Sequence, residues 1–185
     1  MPYKWIIRAI WLVGVLYWLA SATGNKATVY RTNPTWRIVA LIALFLMFVL
    51  FDAFPMYFYH HLYFPSEAIR WVGAAVCAFG VGFAIWARRT LGTNWSGNPT
   101  IKEGHVLIQA GPYRVVRHPI YTGILIGILG TGIGSGRSFN LYVLGFSTVG
   151  FWIKLKFEET LMLRQFPQAY GEYKKRTKAL IPFIL

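Results

Sequence analysis

The chain has 185 residues, of which 56% are hydrophobic and only 14% are charged, and its formal net charge is +13. Soluble domains carry about 25% charged residues, so this composition excludes an ordinary soluble domain and predicts one all-α integral membrane domain over residues 1–185. Basic connections that set topology and meet membrane lipids account for the cations, and no basic stripe with interleaved aromatics indicates nucleic-acid binding.

Five apolar segments are candidates for membrane-spanning helices, which need about 20 mostly apolar residues and at least about 17. They cover approximately residues 5–22, 36–54, 69–87, 119–133 and 139–155. The first three form an N-terminal unit, 1–87. The remainder, 88–185, holds a loop, the last two spans and a tail. The last two spans are short and glycine-rich, so we expect them to form a tight hairpin.

The distribution of cations predicts the orientation in the membrane. If the N-terminus is outside, the connections 23–37, 88–118 and 154–185 lie inside, and they hold three, five and seven Lys or Arg residues. Only four Lys or Arg residues remain outside. The positive-inside rule therefore predicts a multi-pass protein with its N-terminus outside and its C-terminus inside.

The residue types that usually bind metal ions do not form a chelating pattern in the sequence. Cys77 is the one cysteine and lies within an apolar segment, so a thiolate metal site is not expected. His60 and His61 are adjacent, and on a helix they would point about 100° apart. The sequence therefore predicts no metal site.

The tail after Lys154 changes character. Its apolar residues recur at roughly helical spacing with charges between them, which predicts a short amphipathic helix on the inner surface. Pro167 should break this helix. The final "LIPFIL" (180–185) is expected to return an apolar end to the membrane.

The stretch "GPYRVVRHPIYTG" (111–123) places cations directly before the fourth apolar segment. Pro119 suits the first position of a helix, where free N–H groups and the positive helix end favour an anion. Arg114 and Arg117 can add bidentate donors for a carboxylate. Ionisable groups at a membrane are candidates for function, so this stretch predicts an anion site at the inner surface.

Glu158 and Glu159 lie just past the fifth segment, on the same predicted side of the membrane. Consecutive helices are usually neighbours, so we expect this pair to lie close to the residues from Arg114 to Tyr121. A carboxylate can accept hydrogen bonds from ribose hydroxyls and can offset an ammonium or a sulfonium. A ligand with a carboxylate, an ammonium, a ribose and a fixed positive centre would use both the predicted anion site and the Glu pair. S-adenosylmethionine is such a ligand.

Two stretches resemble a known family: "GHVLIQAGPYRVVRHPIYTG" (104–123) and "EETLMLRQFPQAYGEYKKRTKALIPFI" (158–184). Their Arg-His-Pro-x-Tyr element, Glu-Glu pair and Leu-x-Pro-Phe-like end resemble the isoprenylcysteine carboxyl methyltransferase family and the related phospholipid N-methyltransferases. The resemblance covers about residues 92–185, whereas the first three spans match only in hydropathy.

The resemblance implies a cytosolic pocket over the last hairpin, with S-adenosylmethionine as the methyl donor. The family's cofactor contacts carry over to these positions: His105, Val106, Leu107, Ile108, Tyr113, His118, Pro119, Ile120, Tyr121, Glu158 and Glu159. One departure concerns the substrate. Relatives that act on a carboxylate place an arginine shortly before the Glu pair, whereas "GFWIKLKFEE" (150–159) has lysines there.

The expected reaction is methyl transfer to a lipophilic acceptor that enters from the bilayer, with Arg114, Arg117 and Tyr121 as the catalytic candidates. A carboxylate acceptor, as in isoprenylcysteine carboxyl methylation, needs a cation such as Arg114, Arg117 or Lys154 and no strong base. An amine acceptor needs a proton acceptor, for which His118, Tyr121 or a glutamate is available. The resemblance favours the carboxylate, but the residues themselves leave both possibilities open.

Two other classes of function are alternatives. An NADPH-dependent enzyme similar to the sterol reductases would need more room and more phosphate-binding cations than this chain offers. A non-enzymatic lipid-binding protein could keep the same fold. Cofactor choice separates the three classes, because they would bind S-adenosylmethionine, NADPH or neither.

Overall fold

The computed structural model describes residues 2–22, 28–31, 49, 53–58, 60–95, 100–102, 104 and 106–182. The helices with described bounds are α1 (Tyr3–Ala22), α2 (Pro55–Phe58), α3 (Glu67–Leu91), α4 (Pro119–Ser135), α5 (Ser138–Gln165) and α6 (Pro167–Arg176). Short 3-10 helices cover Gly92–Asn94 and Gly111–Arg114, and two strands, β1 (Thr28–Arg31) and β2 (Thr100–Lys102), pair antiparallel. The fold is thus helical, with a short ribbon that the sequence analysis did not predict.

Two helices among the described residues are long and apolar enough to cross a membrane: Tyr3–Ser21 and Glu67–Asn94. They correspond to the first and third predicted spans. Helix α4 is apolar but shorter, with 17 residues. The second predicted span, 36–54, lies almost entirely outside the described residues.

Helices α1 and α3 run in the same direction. The Tyr3 ring lies 5.1 Å from the Arg70 guanidinium at their N-terminal ends, and the Arg88 guanidinium donates to the Ser21 carbonyl at their C-terminal ends. From the N-terminal end inward, Tyr3 and Ile7 share an apolar cluster with residues of α3.

Helix α4 packs antiparallel against α3 through glycines. A Cβ atom added to Gly130 would lie less than 3 Å from the Cys77 backbone, and one added to Gly80 would meet the Gly127 backbone as closely. The small residues that recur along α4 therefore permit a close helix contact. The partner in this contact is the preceding helix α3.

Helix α5 continues well beyond the predicted fifth span. It is 28 residues long and carries Glu158 and Glu159 within one uninterrupted helix. The prediction that a separate amphipathic helix begins after Lys154 is therefore wrong, because α5 continues without interruption to Gln165. Pro167 does mark a break as predicted, and it begins the 10-residue helix α6.

The two ends of the helical bundle hold different connections. At one end, Ser138 donates its backbone N–H to the His60 carbonyl at 3.1 Å, so the connections before α3 and α5 meet there. At the other end lie the C-terminal ends of α1 and α3, the start of α4 and the Glu pair of α5. This second end, called the site end below, contains the largest concentration of buried ionic contacts among the described residues.

Candidate functional site

A cavity of about 270 Å³ lies at the site end. Its walls come from α1, α3, α4, α5, α6 and the segment that precedes α4. The lining residues are Trp18, Leu91, Asn94, Trp95, Val106, Leu107, Ile108, Tyr113, Arg117, His118, Ile120, Tyr121, Ile124, Phe151, Lys154, Glu158, Leu161, Met162, Tyr170 and Tyr173. Apolar and aromatic walls with a few convergent polar groups are typical of a small-molecule site.

The segment that enters α4 is held in place on several sides. Pro112 and Val116 are fully buried, and the Tyr173 hydroxyl donates to the Tyr113 carbonyl at 2.7 Å. Helix α4 begins directly after His118, with Pro119 at its first position, as the sequence predicted. His118 and Tyr121 are therefore presented from a fixed helix start.

Glu158 faces the cavity. Its Oε1 accepts a hydrogen bond from the Tyr121 hydroxyl at 2.6 Å, and its Oε2 lies 3.5 Å from Nδ1 of His118. The Lys154 ammonium is 3.9 Å from Oε1. Burial raises the pKa of Glu158, but His118, Lys154 and Tyr121 outweigh burial and hold this pKa below its ordinary value. Glu158 is therefore a carboxylate at neutral pH.

Glu159 points away from the cavity and is only 3% exposed. Arg117 Nε donates to its Oε1 at 2.8 Å, and the Lys174 ammonium is 2.7 Å from its Oε2. Burial raises the pKa of Glu159, but His118, Lys174 and Arg117 lower it well below the ordinary range. Both oxygens of Glu159 are thus used by protein groups.

His118 lies between the two carboxylates. Its Nδ1 is 3.5 Å from Glu158 and its Nε2 is 3.5 Å from Glu159, distances that are longer than good hydrogen bonds. Burial lowers the pKa of His118, whereas the two carboxylates raise it, and the net effect is a raised pKa. A larger share of His118 is therefore protonated at neutral pH than for an exposed histidine.

Aromatic rings stack beside Glu158. The Tyr121 ring lies 4.5 Å from the Phe151 ring and 5.6 Å from the His118 ring, and all three are nearly parallel. The Lys154 ammonium is 5.2 Å from the centre of the Tyr121 ring. Aromatic faces attract cations, so this part of the cavity combines a carboxylate with surfaces that suit positive charge.

The structure brings most of the predicted site residues to one cavity. Those that line it are Val106, Leu107, Ile108, Tyr113, Arg117, His118, Ile120, Tyr121 and Glu158. Pro119 and Glu159 are buried behind this lining. Arg114 is exposed and is not among the lining residues. His105 lies outside the described residues, and the roles of all these side chains remain predictions.

Sequence reasoning missed several residues that line the cavity. They are Trp18 from α1, Asn94 and Trp95 after α3, and Tyr170 and Tyr173 from α6. The Arg88 guanidinium lies 4.5 Å from the centre of the Trp95 ring. The aromatic residues at the ends of apolar segments were a signal, but only the packing of α1 against α3 brings them to this cavity.

The chain is similar to several proteins that are named as methyltransferases. Residues 68–169 match the family described as phospholipid methyltransferase. The protein-S-isoprenylcysteine O-methyltransferase of Dictyostelium discoideum is 24% identical over 163 residues, which cover 86% of this chain and 66% of that protein. The protein of the same name from Tribolium castaneum is 30% identical over 138 residues, with 69% of this chain and 48% of that protein covered.

A solved structure has a similar fold. It is described as the eukaryotic intramembrane Ras methyltransferase ICMT (isoprenylcysteine carboxyl methyltransferase). The TM-score is 0.51 at 28% sequence identity, over 84% of this chain and 55% of that chain. The chain spans about half to two thirds of the length of the relatives it matches.

Proposed function

Because the chain belongs to the phospholipid methyltransferase family, which matches more than half of its length, we propose that it is an integral membrane methyltransferase that uses S-adenosylmethionine. The main observation behind this proposal is that Glu158, His118 and Tyr121 contact one another at the wall of one aromatic-lined cavity. The fold similarity to an intramembrane methyltransferase of known structure supports it.

The residues of the cavity fit the chemistry of this methyl donor. Glu158 offers carboxylate oxygens to ribose hydroxyls or to an ammonium, and Asn94 offers an amide. Trp18, Trp95 and Phe151 offer flat apolar surfaces to a base. When bound, the donor supplies an electrophilic methyl group on a sulfonium. The role of the protein is then to position the acceptor against it and to exclude water.

We favour a carboxylate on a lipophilic molecule as the methyl acceptor. An amine acceptor must lose a proton, and a carboxylate with a lowered pKa accepts that proton poorly. Among the described residues of the cavity, Glu158 has a lowered pKa, and both ring nitrogens of His118 face carboxylates of the protein at 3.5 Å. A carboxylate acceptor needs no base. The relatives named protein-S-isoprenylcysteine O-methyltransferase support the same choice.

Lys154 is the residue that we assign to hold the acceptor carboxylate. Its side chain is 18% exposed and lines the cavity next to Tyr121. Arg117, which also lines the cavity, donates to Glu159 at 2.8 Å, whereas the Lys154 ammonium is 3.9 Å from Oε1 of Glu158, a longer contact. We propose that Lys154 takes the place of the arginine that relatives acting on a carboxylate have shortly before the Glu pair.

We further propose five membrane spans with the site end on the cytosolic side. The parallel course of α1 and α3 supports an additional crossing between them, because the chain must return from one end of the bundle to the other. The pairing of β1 with β2 supports the same arrangement, since it joins two connections that were both expected inside. The acceptor would enter from the surrounding bilayer.

Calorimetric titration of the detergent-purified full chain with S-adenosylhomocysteine, with NADPH as the control ligand, tests the cofactor. Saturable binding of S-adenosylhomocysteine, without binding of NADPH, is expected, and no binding of S-adenosylhomocysteine by folded protein would overturn the proposal.

Transfer of a labelled methyl group to an S-prenylated cysteine, compared with transfer to phosphatidylethanolamine, tests the acceptor. Methyl transfer to the phospholipid alone would overturn the proposed carboxylate acceptor and would show that the acceptor is an amine.

A further inference from the structure

The C-terminal segment 177–180, called the strap here, lies along the segment that enters α4. The backbone N–H groups of Arg117 and His118 donate to the carbonyls of Lys178 and Ala179 at 2.8 and 3.0 Å. The Thr122 hydroxyl donates to the Leu180 carbonyl at 2.7 Å. The strap therefore contacts the same short stretch that presents His118 and Tyr121 to the cavity.

The strap is also buried against that stretch. Ala179 and Leu180 are 5% and 2% exposed, and they form one apolar cluster with Tyr121 and Leu155. Displacement of the strap would uncover the inner side of Tyr121 and remove the acceptors of two backbone N–H groups. The position of Tyr121 thus depends on residues close to the C-terminus.

An ionic clamp, formed by Arg117, Glu159 and Lys174, fastens the strap. The Arg117 guanidinium binds Glu159 and also donates to the backbone carbonyls of Lys174 and Thr177. The Lys174 ammonium closes the clamp on the second oxygen of Glu159. One buried carboxylate therefore connects α5, the start of α4 and the end of α6.

The two adjacent glutamates thus face different partners. Successive helix residues point about 100° apart, so Glu158 reaches the cavity while Glu159 reaches the clamp. We propose that Glu159 is a positioning residue: through Arg117 and Lys174 it holds the strap against segment 116–122 and so sets the positions of His118 and Tyr121 beside Glu158. Its effect on ligand binding rests on the proposed function, whereas its effect on the strap does not.

Hydrogen–deuterium exchange of the full chain in detergent tests the clamp without any ligand. In Glu159→Gln, exchange in peptides that span 113–122 should accelerate by about tenfold or more, because local opening no longer has to break the ion pairs. Exchange within α3 should not change. The exposed α6 variant Glu172→Gln is the matched control, and it should keep the protection of the wild type in 113–122.

Titration with S-adenosylhomocysteine separates positioning from direct contact. Glu159→Gln should weaken binding by roughly tenfold, the size expected for losing one well-placed polar contact. Lys174→Arg should keep both binding and exchange protection, because it keeps the ion pair. Lys174→Gln should lose part of both, and it serves as the test if Glu159→Gln does not fold.

Two results would overturn the positioning role. One is unchanged exchange in 113–122 together with weakened ligand binding in Glu159→Gln, which would mean that Glu159 contacts the ligand. The other is accelerated exchange in α3 as well, which would mean a general stabilising role. A wild-type protein that binds no S-adenosylhomocysteine would overturn the proposed function, while the exchange data would still decide the clamp.

Discussion

Arg117 donates through Nε to Oε1 of Glu159 at 2.8 Å, and the two side chains are only 8% and 3% exposed. They lie 42 residues apart in the sequence. Withdrawing each charge from water costs several kcal/mol, so such a pair persists only where further hydrogen bonds satisfy both groups. Lys174 and two backbone carbonyls do so here. The pair therefore joins the start of α4 to the end of α5.

Removing one partner of this pair should be costly. Arg117→Met leaves Glu159 buried with Lys174 and His118 beside it, and we expect a loss of roughly 3 kcal/mol in the free energy of unfolding, the lower end for broken buried pairs. Thermal denaturation in detergent measures this loss. The double variant Arg117→Met/Glu159→Met should recover part of the stability, and a further additive loss would contradict the pairing.

The stability that Glu159 contributes should depend on pH in one direction. Its pKa in the folded protein lies below the ordinary value of 4.5. The contribution is therefore fully present above pH 4.5 and is lost as pH falls through the folded pKa. We expect the difference in melting temperature between wild type and Glu159→Gln to shrink as pH falls below 4.5. A difference that grows on acidification would contradict this assignment.

Lys154 and Lys156 form a matched pair for testing the acceptor site. Lys154 lines the cavity, whereas Lys156 is exposed and lies 4.5 Å from the centre of the Trp152 ring. Lys154→Gln should raise the KM for a carboxylate acceptor by about tenfold or more, because a charge-assisted contact is lost. Lys156→Gln should leave this KM unchanged. Equal effects of both substitutions would show that Lys154 acts only through the general positive charge.

The close contact between α3 and α4 should not tolerate a single added methyl group. Gly130→Ala would place a Cβ less than 3 Å from the Cys77 backbone, and we expect a destabilisation of about 1–3 kcal/mol from overpacking. Gly145→Ala in α5 is the control, because in the part of the chain that the structure describes no atom outside its own stretch of helix lies within 4 Å of its added Cβ. Melting temperatures of the two variants measure the difference, and equal values would contradict the close packing.

Composition, hydropathy and local motifs were enough to predict several helices and the neighbourhood of the candidate site. The apolar lengths predicted α1, α3 and α4. Pro119 predicted where a helix begins and Pro167 predicted where one breaks, because these are properties of short contiguous stretches. The approach of the Arg-His-Pro stretch to the Glu pair was also predicted, since both flank the last two helices. The end of α5 was not predicted, because charged residues within a helix and after a helix look alike in sequence.

Contacts between distant parts of the chain determined which side chains face the cavity. Glu158 and Glu159 are identical neighbours, and nothing local to them says that one faces a cavity while the other is bound by Arg117 and Lys174. That difference depends on where α4 and α6 pack against α5. In the same way, Trp18 and Trp95 line the same cavity only because α1 lies beside α3. Side-chain direction at a site is a result of packing, which no single stretch of sequence contains.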